Sequence, residues 1–127
     1  MCLIVVMSHQ LTDDQVNDAK ASLGVNEVVQ LVTDNALQAR TIPASMSFRD
    51  VEMLANEIVT DAENQGATHF SIMGEPALVC SAMINAHHRD LTCVQSTTER
   101  VSQDLPQPDG TVKKVSVFKH VQWRVWL

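Results

Sequence analysis

The sequence predicts a single α/β domain: a mostly parallel sheet flanked by helices, with a C-terminal antiparallel hairpin extension. Three observations predict it. Residues 1–96 alternate strand-like and helix-like segments, the pattern of parallel strands joined by right-handed crossovers. The first strand is apolar throughout, as strands covered on both faces are. The tail from residue 97 instead reads as two alternating strands around an Asp-Gly turn, which signals a hairpin.

Cys2 to Met7 is the opening strand, rich in β-branched residues. Thr12-Asp13-Asp14-Gln15 is a capping box, and Val16, Ala19 and Leu23 follow at helical spacing to a stop at Gly24. Glu27 to Val32 is the second strand. Asp34 to Arg40 is a short helical or irregular piece, broken by Thr41-Ile42-Pro43. Ser47 caps a longer helix whose apolar stripe is Val51, Leu54, Ala55, Ile58 and Val59. Ala67 to Met73 is a third strand. Gly74-Glu75-Pro76 turns into another helix, with Pro76 suited to its first position. Ala77 to Ala86 is apolar nearly all round, which predicts deep burial or a subunit interface. Leu91 to Gln95 is a fourth strand. Arg100 to Leu105 and Thr111 to Arg124 flank the hairpin turn at Pro106 to Gly110.

Composition limits the function. The chain has 127 residues, of which 45% are apolar, enough for one core. No run approaches the roughly 18–20 apolar residues of a membrane span. The apolar start lacks a basic flank, so it reads as a buried strand and not a signal peptide. Cys2, Cys80 and Cys93 are odd in number and widely spaced, which suits free buried thiols in the cytoplasm. They show no metal-ligand spacing, and no metal or cofactor is expected. The net charge of −6 argues against binding long nucleic acid. That charge is segregated. Residues 1–96 hold four basic and twelve acidic side chains, whereas residues 97–127 hold five basic and three acidic ones. A basic end on an acidic protein suits a small anionic ligand.

Ligands of open parallel sheets bind outside the carboxyl ends of the strands. Three such ends are polar here: Ser8-His9-Gln10, Gly74-Glu75 and Ser96-Thr97-Thr98, with Arg100 beyond. Gly74 allows close backbone approach, and the helix after it offers N–H groups to an anion. The hydroxyls of Thr97 and Thr98 can donate to phosphate oxygens, and Arg100 can bind one bidentately. His9, at a strand end, and His120, next to basic residues, either serve as general acid or base near neutral pH or merely sit in loops. His69 reads as structural, and His87-His88 as the cationic end of a helix. Glu75 reads either as a base or as a carboxylate stabilising a helix start. Trp123 and Trp126 could stack on a base, but read rather as packing on the sheet or on a partner subunit. No Gly-x-Gly-x-x-Gly or P-loop is present, which disfavours dinucleotide or NTPase function.

Several stretches together resemble a known family. They are Met7 to Thr12 with Gln15, Asp18 to Lys20, Ser22 to Val25, Leu37-Gln38, Ile42-Pro43, Gly74, Thr97 to Arg100, Asp109 to Lys114, Val117 to Val121, and Arg124. The chain is similar to the small stand-alone CRISPR-associated ring nucleases with a CARF-type, Rossmann-like fold. It departs from their pattern at Arg40-Thr41, where a tryptophan is expected. The resemblance implies a cytoplasmic homodimer acting in type III CRISPR antiviral defence. It would bind a cyclic oligoadenylate, with cyclic tetraadenylate the first choice. Metal-independent attack of a ribose 2′-hydroxyl would cleave the ring and leave a 2′,3′-cyclic phosphate. On that reading His9 or His120 transfers the proton and Arg100 and Lys119 stabilise phosphate charge. Ser8, Gln10, Gly74, Glu75, Ser96, Thr97 and Thr98 hold the ring. Two other classes stay open: a non-catalytic sensor of the same ligand, and a hydrolase or transferase of an ordinary mononucleotide.

Overall fold

A computed structural model describes residues 1–127. The elements are β1 (Cys2–Val6), α1 (Asp13–Asp18) continued by a π-helical turn (Ala19–Leu23), β2 (Glu27–Gln30), α2 (Asp34–Gln38), α3 (Phe48–Asn64), β3 (His69–Ile72), α4 (Pro76–His88), β4 (Thr92–Pro106) and β5 (Val112–Val125). They form one five-stranded sheet in the order β2-β1-β3-β4-β5. The first four strands are parallel, and β5 runs antiparallel to β4. No helix is long and apolar enough to cross a membrane.

The sheet is covered on both faces, which explains the unbroken apolar run of β1. Successive strand residues point to opposite faces. Cys2, Ile4 and Val6 pack with Phe70, Ile72 and Cys93 against α2, α3 and α4. Leu3, Val5 and Met7 pack with Val94 and Trp123 beneath α1 and its π-turn. Local chemistry sets the helix starts. Thr12 Oγ1 accepts from the Gln15 N–H at 3.2 Å, and Gln15 Oε1 accepts from the Thr12 N–H at 2.9 Å. Ser47 Oγ accepts from the Asp50 N–H that opens α3, at 3.1 Å. Gly24 ends the π-turn at φ 70°, a left-handed value that glycine adopts without strain.

Three expectations are corrected. The fourth strand and the first hairpin strand are one element, β4, with a register shift at Thr97/Thr98 and not a break. Helix α4 is not buried all round: Leu78, Ala82, Met83 and Ala86 face the core, while Ile84 is 54% exposed. Of the three thiols, Cys2 and Cys93 are buried and Cys80 is exposed. Burial raises the pKa of both Cys2 and Cys93, which keeps them protonated and unreactive.

Candidate functional site at the carboxyl ends of the strands

The polar strand ends line two neighbouring cavities that meet at Met73. The first, of about 310 Å³, is walled by Ser8 and His9 after β1, by Gly74 and Glu75 after β3, and by Arg40 and Ile42 after α2. The second, of about 520 Å³, is walled by Gln95 to Thr98 of β4 and by Arg124 and Trp126 beside them. Volumes of roughly 300–1,000 Å³ are usual for small-ligand sites.

Local bonds hold these walls. Gln30, at the end of β2, donates its side-chain amide to the Met7 carbonyl at 3.1 Å and the His9 carbonyl at 3.0 Å. That fixes the backbone carrying Ser8 and His9. Ser8 Oγ and His9 Nδ1 lie 3.5 Å apart, and both side chains are exposed. Gln95 makes the matching clamp one strand pair over, donating to the Ile72 carbonyl at 2.7 Å before Gly74. Gly74 has φ 143°, a backbone state that residues with a Cβ rarely adopt. The Thr97 hydroxyl donates to the Gln122 carbonyl at 3.0 Å and accepts from its N–H at 3.2 Å, which ties β4 to β5 at the rim.

The structure gathers part of the expected site. Ser8, His9, Gly74 and Glu75 share the first cavity, and Ser96, Thr97 and Thr98 share the second. Gln10 is exposed and borders neither. Glu75 is the N-cap of α4: its Oε2 accepts from the Leu78 N–H at 3.0 Å. That donor is therefore already occupied, and the helix start offers an anion less than expected. Arg100 and Lys119 stand on the β4–β5 arm, outside both cavities. Arg100 lies over the Phe118 ring at 5.2 Å. Lys119 is paired in register with Glu99.

His120 is the least expected placement. Its side chain is 4% exposed and turned towards α1. Nε2 lies 2.8 Å from Asp18 Oδ2, and Nδ1 lies 2.6 Å from Ser96 Oγ. Asp18 Oδ2 also accepts from the Trp123 N–H at 3.2 Å. The hydrogen bond from His120 is the largest cause holding the Asp18 carboxyl below its usual pKa. His69 is buried in β3 with Nδ1 at 2.9 Å from Thr68 Oγ1, and burial lowers its pKa, as befits a structural histidine.

The sequence marks none of Arg40, Gln95 and Asp18 as a site residue, and Arg124 only as part of the basic end. Arg40 and Arg124 are the cations of the first and second cavity respectively. Arg40 lines the cavity together with Ala36 and Ala39 of the same segment, both buried. No local motif marks that packing.

The profile described as the Uncharacterized protein MJ1673 family matches residues 1–124. A protein of Methanocaldococcus jannaschii, Uncharacterized protein MJ1673, is 26% identical over 122 residues, covering 96% of this chain and 94% of that protein. No solved structure matches the chain.

Proposed function

We propose that this chain, which belongs to the Uncharacterized protein MJ1673 family, binds and cleaves a cyclic oligoadenylate, most simply cyclic tetraadenylate. The reading takes the sheet as Rossmann-like and of CARF type, and places the protein in the cytoplasm as the off-switch of a type III CRISPR signal. The observation that carries it is the pair of adjoining cavities at the strand ends. They offer free hydroxyls from Ser8 and Thr98, an exposed His9, and one arginine each. Hydroxyls and guanidinium groups are phosphate-binding chemistry.

A cyclic tetranucleotide exceeds either cavity alone. A homodimer answers this, because a ring with two-fold symmetry fits a crevice shared by two identical subunits. Arg100 and Lys119, which stand away from their own chain's cavities, then serve the ring from a second copy. The reaction is an in-line attack of a ribose 2′-hydroxyl on the adjacent phosphorus, with the 5′-oxygen leaving. Positioning and charge stabilisation supply most of such catalysis. Pure protein incubated with cyclic tetra- or hexa-adenylate in EDTA is expected to give linear products. Intact rings after long incubation with excess protein would refute the enzymatic claim.

A second reading, a sensor that binds without cleaving, draws on one observation. His9 faces a cavity while His120 is turned towards α1, so the two histidines do not converge. Tight binding by calorimetry without turnover would favour it.

A further inference from the structure

The register shift between β4 and β5 has a chemical result. Thr97 pairs with Gln122 but Thr98 pairs with His120, so Val121 is an extra residue in β5. That bulge turns both His120 and Trp123 towards α1, with ring centroids 5.5 Å apart. Strand alternation brings Ser96 to the same side. Three groups from distant positions thereby line up: Asp18 Oδ2 to His120 Nε2 at 2.8 Å, and His120 Nδ1 to Ser96 Oγ at 2.6 Å.

The direction of this chain follows from what each atom can do. An ionised carboxylate only accepts, so Nε2 of a neutral His120 carries the proton. Nδ1 is then bare, and the Ser96 hydroxyl must donate to it. Ser96 Oγ keeps acceptor capacity, part of which meets Gln15 Nε2 at 3.4 Å. The Gln15 amide is itself oriented, because its Oε1 accepts from the Thr12 N–H. Ser96 is half-buried and is among the residues lining the 520 Å³ cavity, as is Thr98 on the same face of β4.

We propose that Asp18, His120 and Ser96 form a proton relay that is the general base for ring cleavage, with Ser96 Oγ meeting the ribose 2′-hydroxyl. This rests on the ring-cleaving reading above. As the 2′-oxygen attacks phosphorus, its proton passes to Ser96 Oγ while the serine's own proton passes to His120 Nδ1. The bond from phosphorus to the 5′-oxygen breaks, and that oxygen takes a proton from water. The imidazolium, held by the Asp18 carboxylate, returns its proton through Ser96 to solvent. Ser96 is the catalytic residue; His120 relays through it, and Asp18 is a positioning residue that fixes the ring tautomer.

The test is single-turnover cleavage of cyclic tetraadenylate, with Kd measured by calorimetry, for wild type, Ser96→Ala, Ser96→Thr and Asp18→Asn. Removing a general base costs about 10²–10⁴-fold. Ser96→Ala and Asp18→Asn are expected to slow cleavage by about 100-fold, and Asp18→Asn, which lines neither cavity, to do so with Kd unchanged. Ser96→Thr, which keeps the hydroxyl, is expected to retain most of the rate. A merely structural clasp would lower stability in these variants and leave the rate of folded protein alone. Nitrogen-15 NMR of His120 in the wild type needs no variant to fold: the Nε2–H tautomer is expected, and the Nδ1–H tautomer would overturn the relay. Cleavage by Ser96→Ala at the wild-type rate would overturn the relay and leave the ring-cleaving reading standing. Absence of cleavage by the wild type would overturn that reading, and the relay with it.

Discussion

At the scale of single residues, Asp18 ties α1 to the base of the hairpin. Its Oδ2 takes hydrogen bonds from the His120 ring and the Trp123 backbone. Its pKa is lowered in the folded chain, first by the bond from His120. A carboxylate whose pKa falls on folding stabilises the fold above its unfolded pKa, and this contribution is lost as pH falls through the folded value. The wild type is therefore expected to lose thermal stability below about pH 4, near the ordinary aspartate pKa. Asp18→Asn should lose less over the same range in a Tm series; parallel losses would count against the assignment. Gly74 gives a second test at this scale. A Cβ there would meet only the Ala39 carbonyl, at 3.9 Å, so space is not the obstacle. The obstacle is φ 143°. Gly74→Ala is expected to cost about 1–3 kcal/mol, measurable by urea denaturation; an unchanged midpoint would contradict it.

At the scale of elements, the β4–β5 hairpin has two parts with different support. Its base is anchored: Trp123 is buried, and its ring N–H donates to the Gln15 carbonyl at 2.8 Å. Beyond Thr98 the two strands extend as a ribbon that pairs only with itself. Phe118 on that ribbon is 68% exposed. A lone two-stranded ribbon is marginal in water. If the proposed homodimer covers it, amide hydrogen exchange at 101–105 and 113–117 slows as protein concentration rises. Exchange independent of concentration would place the ribbon outside any dimer contact. The arm was legible in the sequence as a hairpin, because Asp109-Gly110 and the alternation of Val115 and Val117 are local signals. Its continuity with the fourth strand was not. Ser96-Thr97-Thr98-Glu99 looks like a polar loop, yet cross-strand pairing carries it straight through as β-structure. The bulge that redirects His120 likewise has no local signature.

At the scale of the whole molecule, the sheet brings the polar ends of β1 and β3 beside Gln95 to Thr98 within β4. The alternation of strands and helices made the parallel sheet legible, and the caps at Thr12 and Ser47 made the helix starts legible. The strand order β2-β1-β3-β4-β5 and the position of Arg40 depend on packing between distant segments, which no local pattern encodes. Two apolar clusters, one on each face of the sheet, support these strand ends. Phe70 is fully buried among residues of the larger core. Phe70→Ala is expected to cost about 3–5 kcal/mol, read as a lower urea midpoint with an unchanged slope. A loss below about 1 kcal/mol would contradict the packing described here.

If these strand ends hold a cyclic oligoadenylate while a ribose 2′-hydroxyl opens it, no water is added and the first linear product is an isomer of the ring. Cleavage of cyclic tetraadenylate in ¹⁸O-labelled water, followed by mass spectrometry of the linear products, measures this. Ends bearing 2′,3′-cyclic phosphate, free of the label when first formed, are expected. Label incorporated at the initial cut, or rings left intact, would contradict ring opening by the 2′-hydroxyl.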